Sequence, residues 1–215
     1  GMSEPDSTER KSYHHGNLRA ALIEAALELI TEKGPTGFTL AEAARTAGVS
    51  PAAPYRHFKG REDLIAELAL VGFDMFADLL EHAFTKGPTG SPLDAFYRVG
   101  RAYLAFARRY PGHYIAMFES GVSIAGNSEL THVSNRAMAV LTRAAEALMA
   151  HLPAHKRPPA IMVSHHIWAM SHGIVELFAR GTPGSRAPFS PDELLESGTG
   201  IYLRGLGILA PNTTE

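Results

Sequence analysis

Residues 38–59, F-T-L-A-E-A-A-R-T-A-G-V-S-P-A-A-P-Y-R-H-F-K, decide the fold. Thr39 followed three residues later by Glu42 forms a T-x-x-E capping box, which starts a helix at Thr39. Ala41, Ala43, Ala44 and Ala47 keep that helix slim enough for a close crossing, and Gly48 tolerates the positive φ of a helix stop. Ser50 is placed to cap a second helix with Pro51 at its first position, where a missing N–H costs nothing. That helix has room only for residues 51–58 before Lys59 and Gly60 end it. Isolated helices below roughly 12 residues are marginal in water, so its neighbours must hold it. Two short helices meeting at a glycine corner make a helix-turn-helix.

Helical spacing sorts the second helix into two sides. Pro54 and Phe58, one turn apart, face inward with Val49, which leaves Ala52, Tyr55, Arg56 and His57 outward. The outward set suits double-stranded DNA. Arg56 forks to guanine O6 and N7, Ala52 and Ala53 allow close approach to thymine methyls, and Tyr55, His57 and Lys59 donate to phosphates. Thr39, Arg45 and Ser50 complete the candidate DNA-binding residues. No carboxylate falls within residues 43–60, so the local face is positive.

Outward from this motif the chain reads as all-α. Leu18, Leu22, Ala25 and Leu29 stripe a helix over residues 17–33, ended by Gly34-Pro35. A long helix begins near Arg61 and carries Leu64, Leu68, Val71, Met75 and Leu79 to about Thr85. Gly87-Pro88-Thr89-Gly90-Ser91-Pro92 is a loop, and further helices are expected over 93–110, 113–118, 128–152, 160–180 and 191–209. In 160–180 apolar residues occupy two faces: Val163, Ile167, Met170, Ile174 and Phe178 on one, Ile161, Trp168 and Val175 on the other. One core cannot satisfy both. In 191–209 Leu195, Tyr202, Leu206 and Leu209 form a stripe interrupted by Gly198, Gly200, Gly205 and Gly207. Each mid-helix glycine costs roughly 0.5–1 kcal/mol relative to alanine, so close packing must offset them. A four-helix bundle with two helices from each of two subunits does this. Two reading helices about 34 Å apart then match half-sites one turn apart on a near-palindromic operator.

At 215 residues with 45% hydrophobic content, the composition is that of an ordinary globular protein. No run reaches the ~18 apolar residues that a membrane span requires and no signal-peptide pattern opens the chain, so a cytoplasmic protein is expected. Gly1 ahead of Met2 reads as a scar of tag removal, and residues 1–11 as a polar tail. The absence of cysteine excludes disulfides and thiolate chemistry. Eleven histidines include the pairs His151/His155 and His165/His172, but carboxylate or cysteine partners are missing and no metal is expected. No phosphate loop, nucleophile elbow or H-E-x-x-H pattern occurs, so neither an enzyme nor a cofactor is expected. The net charge of −2 places the burden of DNA affinity on its distribution. Arg10, Lys11, His14, His15 and Arg19, with Arg45, Arg56, Lys59 and Arg61, form a candidate basic face and N-terminal arm.

The run Tyr55-Arg56-His57-Phe58-Lys59, with Gly16-Asn17-Leu18-Arg19 and T-L-A-E-A-A at 39–44 before it and R-E-D-L-I at 61–65 after it, resembles the DNA-binding domain of the TetR family of bacterial transcriptional regulators. Pro54 departs from that pattern, which more often has Leu or Ile there, and it removes an N–H that would bond back to Ser50. Trp168-Ala169-Met170-Ser171-His172-Gly173 resembles the W-x-x-x-H-G signature of one subgroup of TetR C-terminal domains. The resemblance implies a DNA-binding domain over residues 12–60, within a family-type region of about 16–76, and a regulatory and dimerisation domain over 61–215. It implies a homodimer through the last two helices, with Ile174, Phe178, Leu195, Gly198, Tyr202, Gly205 and Leu206 as interface candidates. It also implies a small-molecule effector pocket, for which Tyr103, Phe106, Tyr110, His113, Met117, Phe118, Met138 and Trp168 are the candidates. The expected function is a repressor released from its operator by that effector. A DNA-binding regulator without ligand control and a helical enzyme stand as alternatives.

Overall fold

The computed structural model of the chain describes residues 17–87, 90–180 and 187–211. The tail at 1–11 and the basic arm at Arg10, Lys11, His14 and His15 lie outside the described residues. Among the described residues there is no β-strand. The helices are α1 (Leu18–Lys33), α2 (Leu40–Ala47), α3 (Arg61–Thr85), α4 (Pro92–Arg109), α5 (Pro111–Phe118), α6 (Ser128–Met149), α7 (Ala160–Ile174) and α8 (Pro191–Gly205). Short 3-10 segments lie at Ala53–Arg56 and Ala154–Lys156, and α7 runs directly into a π-helix at Val175–Ala179.

The chain forms two compact units. The first holds the described residues up to Phe73 together with 110–130; the second holds 74–109 and the chain from Thr131 onward. The division between these units falls within α3, and α5 belongs with the first unit.

In the N-terminal unit, α1 packs against α2, α5 and the 3-10 segment. It buries Leu18, Leu22, Ala25, Ala26, Leu29 and Ile30. Gly112, at the start of α5, lets α5 approach α1 closely: a Cβ there would lie 2.7 Å from Thr31 Oγ1 and 3.0 Å from the Leu27 carbonyl. The first thirteen residues of α3 turn Leu64, Ile65, Leu68, Ala69 and Phe73 inward.

In the second unit, α3 continues with Phe76, Ala77 and Leu80. The Phe76 ring meets Tyr103 and Phe106 of α4 at centroid distances of 5.3 and 5.0 Å. The inward face of α3 thus differs from the expected stripe, since Val71 is exposed and Met75 and Leu79 are half-buried. This helix is apolar on more than one side, and the bulky Phe73 and Phe76 select which side is covered. Arg136 of α6 pairs with Asp74 and Asp78 at 2.8 and 2.9 Å, and Arg143 pairs with Glu81.

The last helices are shorter than their patterns suggest. α8 ends at Gly205, and Gly207 at φ 82° lets the Ile208 N–H return to the Leu203 carbonyl at 2.9 Å. In an unbroken α-helix Phe178 would continue the buried row Val163, Ile167 and Ile174. The wider π turn at Val175–Ala179 shifts that register, so Val175 is buried and Phe178 is exposed.

Candidate nucleic-acid interface and effector cleft

The turn is built as its residues dictate. The Thr39 hydroxyl accepts the Glu42 N–H at 3.1 Å, and Lys33 Nζ donates to the Glu42 carboxylate at 2.7 Å. Lys33, with help from the Thr39 backbone N–H, holds that carboxyl below its usual range. Gly48 adopts φ 76°, and the Val49 N–H bonds back to the Ala44 carbonyl at 2.9 Å, closing the C-terminus of α2.

Beyond the corner the expected α-helix over 51–58 is replaced by the 3-10 segment Ala53–Arg56. The cause is Pro54. In an α-helix the Ser50 carbonyl would accept the N–H of residue 54, which proline lacks. It accepts the Ala53 N–H instead, at 3.0 Å, the i→i+3 bond of the tighter helix. The Pro54 carbonyl then takes both the His57 and Phe58 N–H groups, each at 3.0 Å.

Thr39, Arg45, Ser50, Ala52, Tyr55, Arg56, His57 and Lys59 all reach solvent, with Tyr55 62% exposed. Ala53 does not. It is 7% exposed, because the segment packs against both α1 and α2 and its methyl group is covered along with Pro54 and Phe58. Two of the expected backbone-facing cations are also engaged within the fold. Arg19 pairs with Glu67 at 2.8 Å and lies 5.6 Å from the Phe58 ring centroid. Arg61 Nε donates to the Phe38 carbonyl at 2.8 Å, with its guanidinium 4.8 Å from the Phe38 ring centroid. These two arginines clamp the turn from either end, a role that the charge pattern alone does not distinguish from phosphate contact.

The candidate effector residues divide between the two units. Tyr110, His113, Met117 and Phe118 belong to the N-terminal one. There Tyr110 meets His113 edge-on, Met117 lies where a Cβ on Gly72 would come within 2.6 Å of its sulfur, and Phe118 packs on Phe73 and Tyr114. Burial pushes His113 below the ordinary histidine range, opposed by Glu24. In the C-terminal unit Tyr103 and Trp168 line one cleft between α4, α6 and α7. Phe96, Val99 and Gly100 of α4, Leu141 and Ala144 of α6, and Ser164, Ile167 and Ser171 of α7 complete it. It has room for about one water molecule. Phe106 is buried against Phe76, and Met138 is half-buried on α6 outside the cleft lining.

The candidate interface residues also separate. Ile174 and Leu195 are buried inside the protomer, at 8% and 4% exposure, within the packing of α7 and α8 with their neighbours. Gly198 serves that same seam, since a Cβ there would lie 2.8 Å from Met170 Sδ. Tyr202 shares a 2.8 Å hydrogen bond with His166, and burial raises its phenol pKa. Leu206 is half-buried, while Phe178 and Gly205 are exposed. Beside Phe178, the large apolar side chains left exposed on these helices and on the π-helical turn are Ile161, Met162, Leu177 and Ile201, at 61%, 50%, 50% and 69% exposure. Ile161 was legible as lying off the buried row; the other three follow from how α7 and α8 rotate against their own subunit. Gly173 has open space where a Cβ would go, and the His172 ring lies 3.8 Å from Glu176.

Among the described residues no helix is long and apolar enough to cross a membrane, and no group of three His, Cys, Asp or Glu is placed to hold a metal ion.

Comparison with known proteins covers both regions of the chain. Residues 22–68 match the family model for bacterial regulatory proteins of the tetR family, and residues 96–200 match that for the tetracyclin repressor-like C-terminal domain. An uncharacterized HTH-type transcriptional regulator of Bacillus subtilis, YobS, is 30% identical over 101 residues, which are 47% of this chain and 51% of that protein. The chain thus spans about half the length of that relative. A solved protein of unknown function from Rhodococcus sp. RHA1 superposes with a TM-score of 0.71 at 28% identity, covering 90% of this chain and 97% of that one. The TetR family transcriptional regulator PfmR from Thermus thermophilus has the same fold, with a TM-score of 0.67 at 19% identity over 85% of this chain and 97% of its own.

Proposed function

The chain carries the two domains of a TetR-family regulator, and we propose from this premise that it is a DNA-binding transcriptional repressor that releases its operator when a small molecule occupies its C-terminal unit. One observation carries the DNA-binding part: the outward side of the turn from Ser50 to Lys59 presents Tyr55, Arg56, His57 and Lys59 with no intervening carboxylate. Arg45 of α2 extends the same positive character. Arg56 is the residue assigned to base edges, and Tyr55, His57 and Lys59 to phosphates. The two helical units, one presenting this turn and one holding a lined cleft, divide reading from sensing.

The active form is a homodimer joined through α7 and α8. Ile161, Met162, Leu177 and Ile201 are large apolar side chains left in water, and Gly173 leaves room for a close approach. A second copy of the same face covers them, and the twofold it creates sets two reading segments one helical turn apart. The W-x-x-x-H-G run at 168–173 supports this arrangement, with Trp168 in the cleft lining and open space beside Gly173. A protein working on DNA in this way acts in the cytoplasm.

Selection of bound duplexes from a randomised pool tests the reading. It enriches a near-palindrome with half-sites about 10 base pairs apart. Replacing Tyr55 and Lys59 together by alanine lowers affinity for the selected duplex by about 10- to 100-fold and shallows its salt dependence, with the circular dichroism unchanged. No enriched sequence, or undiminished binding by the double variant, removes the assignment.

A further inference from the structure

We propose that the cleft between α4, α6 and α7 binds a small, uncharged aromatic molecule carrying a hydrogen-bond donor. This rests on the reading of the C-terminal unit as the sensing half of the protein, and it specifies the chemistry of what is sensed.

The walls set the shape. Phe96, Tyr103 and Trp168 bring three rings to one space, closed by the aliphatic Val99, Leu141 and Ile167. A flat ring gains both area and edge-to-face contacts there. The lining carries no group that is charged at neutral pH. An anionic ligand would lose its hydration without a cation to replace it, a cost too large for so apolar a lining. The charged residues Arg101, Asp192 and Glu196 line a second cleft that shares Phe96, Gly100 and Ile167 with this one.

Two serine hydroxyls of the lining are set as acceptors. Ser164 and Ser171 are each 1% exposed. Ser171 donates its one proton to the Ile167 carbonyl at 2.8 Å, and Ser164 donates to the Ile161 carbonyl at 2.8 Å. Each hydroxyl has therefore spent its proton on its own helix and faces the cleft as an acceptor. Thr142 already approaches Ser164 at 3.3 Å, which leaves Ser171 as the acceptor open to a guest. In a bond made at Ser171 the guest brings the proton. Because the cleft holds about one water as it stands, a ring enters only by parting its walls. Occupied and unoccupied arrangements then differ, which is the condition for a ligand to shift an equilibrium.

Trp168 is the single tryptophan of the chain and lines the cleft, so its fluorescence reports occupancy. Phenol, toluene and benzoate, three one-ring probes with a donor, no polar group and a negative charge, are titrated into the full chain at one fixed pH. Phenol gives a saturable change, toluene binds about tenfold more weakly, and benzoate does not saturate. Ser171→Ala weakens phenol about tenfold and leaves toluene unchanged, the latter showing that the cleft is still formed. Benzoate binding as tightly as phenol, absence of a saturable phenol response, or indifference of phenol to Ser171→Ala overturns the proposal. The selected operator duplex is titrated in parallel without additive. Intact operator binding with a failed phenol series sinks the ligand class alone, whereas a successful phenol series with no operator binding sinks the regulator reading and not the cleft.

Discussion

Around the helix-turn-helix the bulky apolar side chains Phe38, Leu40, Phe58 and Leu64 are turned inward and the exposed positions are polar, small or, at Tyr55, amphipathic. α7, the π-helix after it and α8 bury one apolar row but also leave Ile161, Met162, Leu177 and Ile201 facing water. The first surface satisfies its own subunit and offers hydrogen bonds to something charged. The second leaves apolar area in water: full burial of such a side chain is worth about 1.5–3 kcal/mol, and these are half to two-thirds exposed, so covering each recovers the corresponding part. The surface proposed to face DNA and the surface proposed to pair with a second copy thus differ in which residues the fold leaves outside.

The largest effect is expected from making the second surface resemble the first. Ile161→Glu combined with Ile201→Glu places two carboxylates on the face and, with the copy, four. Sedimentation should then show monomers at concentrations where the parent is dimeric, with dimer affinity lowered by about 100-fold or more, because unpaired charges are costly to bury. Operator affinity should fall with it, since a monomer holds one half-site. A double variant that remains dimeric would move the interface elsewhere and break the contrast.

Most of the N-terminal unit was legible because its signals are local. Thr39 with Glu42 starts α2, Gly48 ends it, and each acts through one or two hydrogen bonds to near neighbours. Pro54 was legible only in part: its missing N–H was plain, but in so short a segment the i→i+3 bonds of Ala53, Tyr55 and His57 set the pitch, and the one α-type bond, from the Phe58 N–H to the Pro54 carbonyl, comes at its exit, so residues 53–56 become 3-10. In the C-terminal unit the periodicities announced helices but not which side of each is covered. Ile174 and Leu195 carry the same apolar signal as Ile161 and Ile201, and only the packing of α7 and α8 against their own subunit separates them. The same ambiguity scattered the effector candidates, since Tyr103 and Phe106 lie three residues apart on one helix yet only Tyr103 reaches the cleft.

Two glycines sharpen the comparison at intermediate magnitude. Gly112→Ala drives a Cβ against Thr31 Oγ1 and the Leu27 backbone carbonyl, and a backbone atom cannot swing aside. Destabilisation of about 1–3 kcal/mol is expected by denaturant titration, in line with overpacked cores. Gly173→Ala meets nothing within the protomer. It should stabilise the isolated protomer by about 0.5–1 kcal/mol through helix propensity while weakening dimerisation. The pair of outcomes distinguishes a closed contact from one that awaits a copy; a Gly173→Ala dimer as tight as the parent would remove Gly173 from the interface.

The smallest effect expected is a pH dependence confined to the inward side of the N-terminal unit. Burial keeps His113 below its ordinary pKa in the folded state, with Glu24 opposing that shift only in part. The unfolded chain, with histidine near 6.5, therefore takes up the proton first as the solution is acidified. Stability contributed by the neutral ring is complete above about pH 6.5, declines as pH falls from there toward the folded-state value, and is flat below it. His113→Gln keeps a neutral polar side chain of similar reach and abolishes that slope, so parent and variant melting curves should diverge in their pH dependence across this window. Identical slopes would mean that the His113 ring is wetter than its burial implies, and that α5 rests on α1 less tightly than the Gly112 contact requires.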